Sequence, residues 1–325
     1  MDSEQSLGPA NRISGAPRRR PRVATMNDEE SATAKPPAAA SESVEFAAAD
    51  GSRLAGRFFA PAGAGAVTPV LICGATGVPQ RFYLPFASWL ATEGFAAFTF
   101  DYRGIGDSLF GSHPRQCRAH KQDWGELDMP AALDWLRRRT GTERVDLIGH
   151  SAGAQLVGLM PNREAIRRVV MVAGSTGYVG SIRMPMRVMA EFILRIYLPL
   201  TATVLGYAPA RRIGLGEDLP AGVARQWARW CRRPGYIENA FGSEVSRAGY
   251  DDFRAPIFAL YASDDPIATP ANVQDLLRLF PRAPKETRMV QPQSFGYPAI
   301  GHIDYFRKSR SDIWPLVTQW LRGGD

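Results

Sequence analysis

The order of strand-like and helical segments predicts an α/β fold: a mostly parallel, eight-stranded sheet with helices on both faces. Three observations predict it. Strand-like segments recur near 69–73, 95–100, 144–148, 168–173, 256–262 and 286–291, and apolar runs such as Pro256 to Ala262 read as strands buried on both faces. Helical stretches lie between them, near 82–93, 122–139, 152–159, 270–280 and 311–321. Such alternation builds parallel strand-helix-strand units. Finally, Val44 to Phe46 and Arg53 to Phe59 flank Asp50-Gly51, a turn pair that makes an antiparallel hairpin at one edge.

The chain has 325 residues. Residues 1–43 are rich in Ala, Pro, Ser and Arg and nearly devoid of large apolar side chains. Such a segment buries too little surface to offset its ordering entropy, so a disordered tail is expected there. No apolar stretch follows Arg18-Arg19-Arg20-Pro21-Arg22, so a secretory signal is not expected. Met26 is a candidate for the true start. Residues 44–325 are expected to form one domain, long enough to bury a sizeable core.

The alternation breaks at about 176–250, between two sheet strands. An insertion there is expected to form a helical lid over the end of the sheet. Within it, Met184 to Leu205 is long and apolar, but Arg187, Glu191, Arg195 and Pro199 interrupt it. Charges near a bilayer centre are costly, so the stretch is read as lining an acyl pocket or packing lid on body, not as a transmembrane span. Trp227 and Trp230, three apart on one helical face, are read as core.

The most specific local pattern is Gly149-His150-Ser151-Ala152-Gly153, between the strand ending at Ile148 and an apolar helical stretch from Gln155. Strand, sharp turn and helix with a Ser at the apex raise one hydroxyl above the end of the sheet; the strained turn leaves room only for small residues on either side. Ser151 is therefore a candidate nucleophile. Such a hydroxyl needs an imidazole to take its proton and a carboxylate to orient that imidazole.

The base follows by elimination. The chain has four histidines, His113, His120, His150 and His302. In folds built on this turn the order is Ser, acid, His, and only His302 comes after Ser151. It sits behind Gly301, which lets its loop approach closely. His150 is expected to point away from the hydroxyl and to pack or bond locally. The acid is expected after the strand Pro256 to Ala262. That strand ends in Asp264-Asp265-Pro266; Asp265 is the candidate, with Asp264 bonding the turn's backbone or facing water. Thr269 is available to cap the following helix.

An oxyanion needs backbone N–H donors. Ala152, which opens the helix after Ser151, is one candidate. The loop Gly74-Ala75-Thr76-Gly77-Val78 after Pro69 to Cys73 supplies the other, with Ala75 preferred and Thr76 next.

These blocks, together with Asp101-Tyr102-Arg103-Gly104-Ile105-Gly106-Asp107-Ser108, resemble the α/β-hydrolase superfamily, and within it the serine aminopeptidase-like serine hydrolases. The resemblance covers about residues 44–322. It implies the α/β-hydrolase fold, hydrolysis of an ester or amide bond, and a structural role for the 101–108 block. The chain departs from many relatives in carrying Cys73-Gly74 where they carry His-Gly.

Cys73, Cys117 and Cys231 are widely spaced, with no metal-ligand or disulfide pattern. A reduced, cytoplasmic setting is expected, with no metal or organic cofactor. The net charge of +7 equals the excess in residues 160–250, which hold 13 Arg against 6 acidic residues. An Arg-rich insertion can steer anionic substrates or touch an anionic membrane, or simply be a solvated face, so a peripheral membrane contact stays open. No motif points to nucleic acid. The expected partner is a small acyl substrate, and the expected activity is that of a carboxylic-ester hydrolase. An acyltransferase with the same three residues and a non-catalytic binding protein are the alternatives, and the oligomeric state is undetermined.

Overall fold

A computed structural model describes residues 41–63 and 67–323. The segment expected to be disordered lies outside the described residues up to position 40. Its last three residues, 41–43, instead belong to the first strand, because Ser41 to Ala47 pairs along its whole length with Arg53 to Phe59.

Among the described residues there are ten strands: β1 (Ser41–Ala47), β2 (Arg53–Phe59), β3 (Thr68–Cys73), β4 (Phe95–Phe100), β5 (Val145–His150), β6 (Ile166–Val172), β7 (Tyr207–Ala208), β8 (Leu219–Pro220), β9 (Ile257–Ala262) and β10 (Lys285–Val290). Eight form one sheet in the order β1-β2-β4-β3-β5-β6-β9-β10. The β1-β2 and β2-β4 pairs are antiparallel and all later pairs parallel. The hairpin turn uses Gly51 at φ 82°, while an Asp50 carboxylate oxygen accepts from the Ser52 N–H. Strands β4, β5 and β9 are buried throughout, which is why they read as apolar runs and not as alternation. Edge strand β10 is exposed over Lys285–Met289, and its charged residues discourage pairing with another chain.

The helices are α1 (Leu84–Thr92), α2 (Lys121–Asp123), α3 (Met129–Thr140), α4 (Ala152–Gln155), α5 (Met186–Phe192), α6 (Leu198–Val204), α7 (Ala221–Trp230), α8 (Ala248–Asp251), α9 (Pro270–Leu277) and α10 (Trp314–Leu321). A π-helical segment, Trp124–Asp128, joins α2 to α3, and another, Ile193–Tyr197, joins α5 to α6. Thr269 caps α9, its hydroxyl accepting from the Asn272 N–H.

The chain leaves β3 toward β4 on one side and returns to β5 on the other, so β3 and β5 are neighbours whose exits diverge. In open α/β sheets that switch point is where a crevice forms beyond the carboxyl ends of the strands. The insertion between β6 and β9 is mainly helical (α5 to α8), with a two-residue antiparallel pairing of β7 and β8. Trp230 is fully buried within it, whereas Trp227 is half-buried and faces the cavity described below, so the two tryptophans do not share one role.

Candidate active site

Ser151 follows β5 and caps α4 with φ 48° and ψ −99°, a backbone conformation costly for a residue with a side chain. The two flanking glycines have a steric cause. A Cβ on Gly153 would sit 2.2 Å from the Cys73 carbonyl oxygen, and one on Gly149 would sit 2.5 Å from the Ala154 nitrogen. The turn and the end of β3 are thereby pressed together, and the Gly153 N–H donates to the Gly74 carbonyl at 3.1 Å.

The tertiary fold brings together three residues separated by up to 151 positions. Ser151 Oγ lies 3.0 Å from His302 Nε2, and His302 Nδ1 lies 2.8 Å from Asp265 Oδ2. The other oxygen of the Asp265 carboxylate accepts from the N–H groups of Ile267 at 2.8 Å and Ala268 at 2.9 Å. Asp265 is completely buried. Burial by itself raises the carboxyl pKa, but the His302 imidazole and the two N–H donors outweigh it and hold the pKa below the usual 3.8. A carboxylate held ionised beside Nδ1 keeps the proton there, leaving Nε2 free to accept from the Ser151 hydroxyl.

Asp264 does not bond its own turn. Its Oδ2 accepts from the N–H groups of Ile300 at 2.9 Å and Gly301 at 3.0 Å, tethering the loop that carries His302. Adjacent carboxylates thus hold the same loop by backbone and by side chain.

His150 bonds over long range, not locally. Its Nδ1 lies 2.8 Å from the Tyr83 hydroxyl and its Nε2 lies 2.9 Å from the His302 carbonyl oxygen. Burial lowers its pKa to about 3, and the nearby His302 adds to the effect, so the ring is neutral. A carbonyl can only accept, so Nε2 carries the proton and Nδ1 accepts from the Tyr83 O–H. Tyr83 was not singled out in the sequence; nothing local to Tyr83 marks it.

Tyr83 also changes the assignment of the backbone donors. The Ala75 N–H donates to the Tyr83 hydroxyl at 2.8 Å, so Ala75, the expected second oxyanion donor, has its N–H already engaged. The Thr76 N–H and the Ala152 N–H have no hydrogen-bond partner among the described residues, and Thr76 lines the cavity above Ser151. The Thr76 hydroxyl accepts from Lys121 Nζ. Lys121 is fully buried, with its ammonium 4.8 Å from the centre of the Trp124 ring. Burial lowers the Lys121 pKa to about 7.

The 101–108 block knits the strand ends together. The Asp101 carboxylate accepts from the N–H groups of Gln80 at 2.7 Å and Asp107 at 2.9 Å. Arg103 Nε donates to Asp128 at 2.7 Å. Ser108 Oγ donates to the Asp101 carbonyl and accepts from the Ala55 N–H.

Ser151 and His302 open into a cavity of about 710 Å³ walled largely by apolar side chains, among them Val78, Phe82, Ile182, Leu194, Leu215 and Trp227. Its far wall comes from the 176–250 insertion. Among the described residues no cluster of His, Cys, Asp and Glu is arranged to hold a metal ion. Such a site can deprotonate a hydroxyl, accept an oxyanion and shelter an apolar chain.

A family model described as alpha/beta hydrolase family matches residues 70–302. The chain is 33% identical over 147 residues to the uncharacterized protein YfhR of Escherichia coli strain K12, across 42% of this chain and 48% of that protein. The match therefore spans about half the length of this curated relative. Among solved structures, the esterase domain of a Rhodothermus marinus protein superposes with a TM-score of 0.55 at 17% identity, covering 87% of this chain and 98% of that one. A thermostable carboxyl esterase from Bacillus coagulans superposes with a TM-score of 0.60 at 12% identity, with coverages of 87% and 98%. At these identities the likeness concerns the fold.

Proposed function

We propose that this chain, which belongs to the alpha/beta hydrolase family, is a serine hydrolase that cleaves a carboxylic ester through an acyl-enzyme intermediate. The observation that carries the reading is the continuous path from Ser151 Oγ through His302 to Asp265, at 3.0 and 2.8 Å. The esterases named above share its fold, which fits the reading.

In this reading His302 Nε2 takes the Ser151 proton as the oxygen attacks the acyl carbon. The N–H groups of Ala152 and Thr76 receive the oxyanion, the former from the first turn of α4, where helix N–H groups lack partners. His302 then passes its proton to the leaving alcohol, and water, activated by the same imidazole, releases the acid. Asp265 stays ionised and stabilises the imidazolium at each step. The apolar cavity takes the acyl chain, and residues 176–250 serve as its lid. The three unpaired cysteines fit a reducing cytoplasmic setting.

The test is turnover of short p-nitrophenyl esters with burst kinetics and labelling of Ser151 by a fluorophosphonate. Ser151→Ala and His302→Ala are each expected to lower kcat by roughly 10⁶-fold, because such residues act as a unit. Undiminished turnover in Ser151→Ala rejects the nucleophile; a mild effect in His302→Ala reassigns the base. Product analysis with added alcohols or amines separates hydrolysis from acyl transfer to another acceptor.

A further inference from the structure

Helices α5 and α6, with the π segment between them, form one continuous run over Met186–Val204, about 28 Å long at 1.5 Å per residue. One side is packed: Leu194, Leu198 and Ala202 are buried, and Met186, Ala190 and Ile193 line the cavity above Ser151. The opposite side is also apolar, and bare. Val188, Phe192, Ile196, Leu200 and Val204 recur every four residues along it, Met184 precedes them just before the run, and each is more than half exposed. With Met189 they make seven of the nine large hydrophobic residues exposed among the described residues. Isolated exposed apolar residues are ordinary, but a contiguous stripe is not.

The spacing has a geometric basis. In an α-helix a step of four residues overshoots one turn by about 40°, so a four-residue repeat drifts around the axis. The π segment has a wider turn, and lying mid-run it reverses part of the drift, keeping the stripe on one side. No helix among the described residues is long and apolar enough to cross a membrane.

The charges around the stripe select its partner. Arg183 and Arg187 are exposed at the start of the run. At its other end Arg115 Nε donates to the Leu205 carbonyl at 2.8 Å and Arg225 donates to the Ala202 carbonyl at 2.9 Å. Glu191, the one acid on the run, is paired with Arg195. Both ends of the stripe are therefore basic. A second copy docking by two-fold symmetry would bring like charges together in either direction, because such an interface pairs a patch with itself. A surface carrying anionic lipid headgroups meets the apolar stripe and both basic ends at once.

We propose that the α5–α6 run is an interfacial docking surface that lays this protein on an anionic lipid bilayer. Met189, exposed beside the stripe, also lines the cavity, so the cavity reaches the flank of the docking face. The inference does not rest on Ser151 being a nucleophile.

The experiment is co-sedimentation of the full chain with phosphatidylcholine vesicles made with and without phosphatidylglycerol. The wild type is expected to sediment with the anionic vesicles, less so at raised salt. A triple variant, Val188→Ser with Phe192→Ser and Ile196→Ser, is expected to lose about tenfold or more in partitioning, since exposed apolar area is what inserts. None of these three side chains lines the cavity, so its circular dichroism and its turnover of a soluble short ester are expected to match the wild type. Arg187→Gln with Arg225→Gln is expected to lose about fivefold per charge removed. Ser151→Ala is expected to sediment like the wild type, which separates this proposal from the nucleophile assignment. The proposal is overturned if the wild type stays in the supernatant with both vesicle types, or if the triple variant partitions undiminished. A dimer dissolved by the triple variant, in a protein that ignores vesicles, makes the second copy the occupant and overturns it too.

Discussion

Replacing Tyr83 with Phe tests whether the loop carrying Thr76 and the loop carrying His302 are tied together through one buried hydroxyl. The Tyr83 oxygen accepts from the Ala75 N–H at 2.8 Å and its proton goes to His150 Nδ1, also at 2.8 Å. His150 in turn donates to the His302 carbonyl at 2.9 Å. Tyr83 and His150 are fully buried and Ala75 nearly so. Phe fills the same space but leaves one donor and one acceptor without partners. Each buried orphan costs about 1–3 kcal/mol, so Tyr83→Phe is expected to lose about 2–6 kcal/mol. At about 2 °C per kcal/mol for a domain of this size, Tm falls by about 4–12 °C. Tyr102→Phe is the matched control. The Tyr102 hydroxyl donates to the Gly74 carbonyl at 3.2 Å, and that carbonyl also accepts from the Gly153 N–H. It stays partnered, so the control is expected to lose only about 1 kcal/mol. Thermal unfolding by circular dichroism reads both. A Tyr83→Phe variant no less stable than Tyr102→Phe would refute the reasoning, because the two substitutions would then differ only in the orphans they fail to create.

The two adjacent aspartates are expected to separate. Asp265→Asn lowers kcat by roughly 10⁴-fold by removing the charge that fixes the His302 tautomer. Asp264→Ala leaves the buried Ile300 N–H unpaired, costing about 1–3 kcal/mol of stability, and turns the half-buried Gly301 N–H toward water, while reducing turnover far less. Equal losses of turnover in the two would remove the distinction. Lys121 supplies a pH test. Its pKa is about 7 in the fold against 10.5 ordinarily, so between these values the unfolded chain binds the extra proton and stability rises with pH, by roughly 1 kcal/mol per unit. Lys121→Met is therefore expected to be more stable than the wild type near pH 7, with the gap closing toward pH 10. Denaturant titrations at several pH values check this, and a gap that does not vary with pH contradicts it.

The sequence by itself determined the strand plan and the three residues that meet. Buried parallel strands must be apolar on both faces, so β3, β4 and β9 are visible as runs. The strained turn at Ser151 must be flanked by glycines, because a Cβ at 149 or 153 would collide with neighbouring backbone atoms. With the turn located, chain order left only one histidine. The apolar stretch Met184 to Leu205 was equally visible, but it read as lining a pocket or packing lid on body. One side of that run does line the cavity, and only the packed structure shows that the other side is bare. Tertiary structure alone decided which N–H groups are free. Ala75 and Thr76 are neighbours in a loop of small residues, and nothing local distinguishes them. The difference arises because the Tyr83 hydroxyl, eight positions on, folds back onto one of them. Likewise His150 beside Ser151 has no local partner; it reaches the His302 carbonyl, 152 positions away. Hydrogen bonds between distant loops leave no periodic trace in a chain, whereas burial and steric exclusion do.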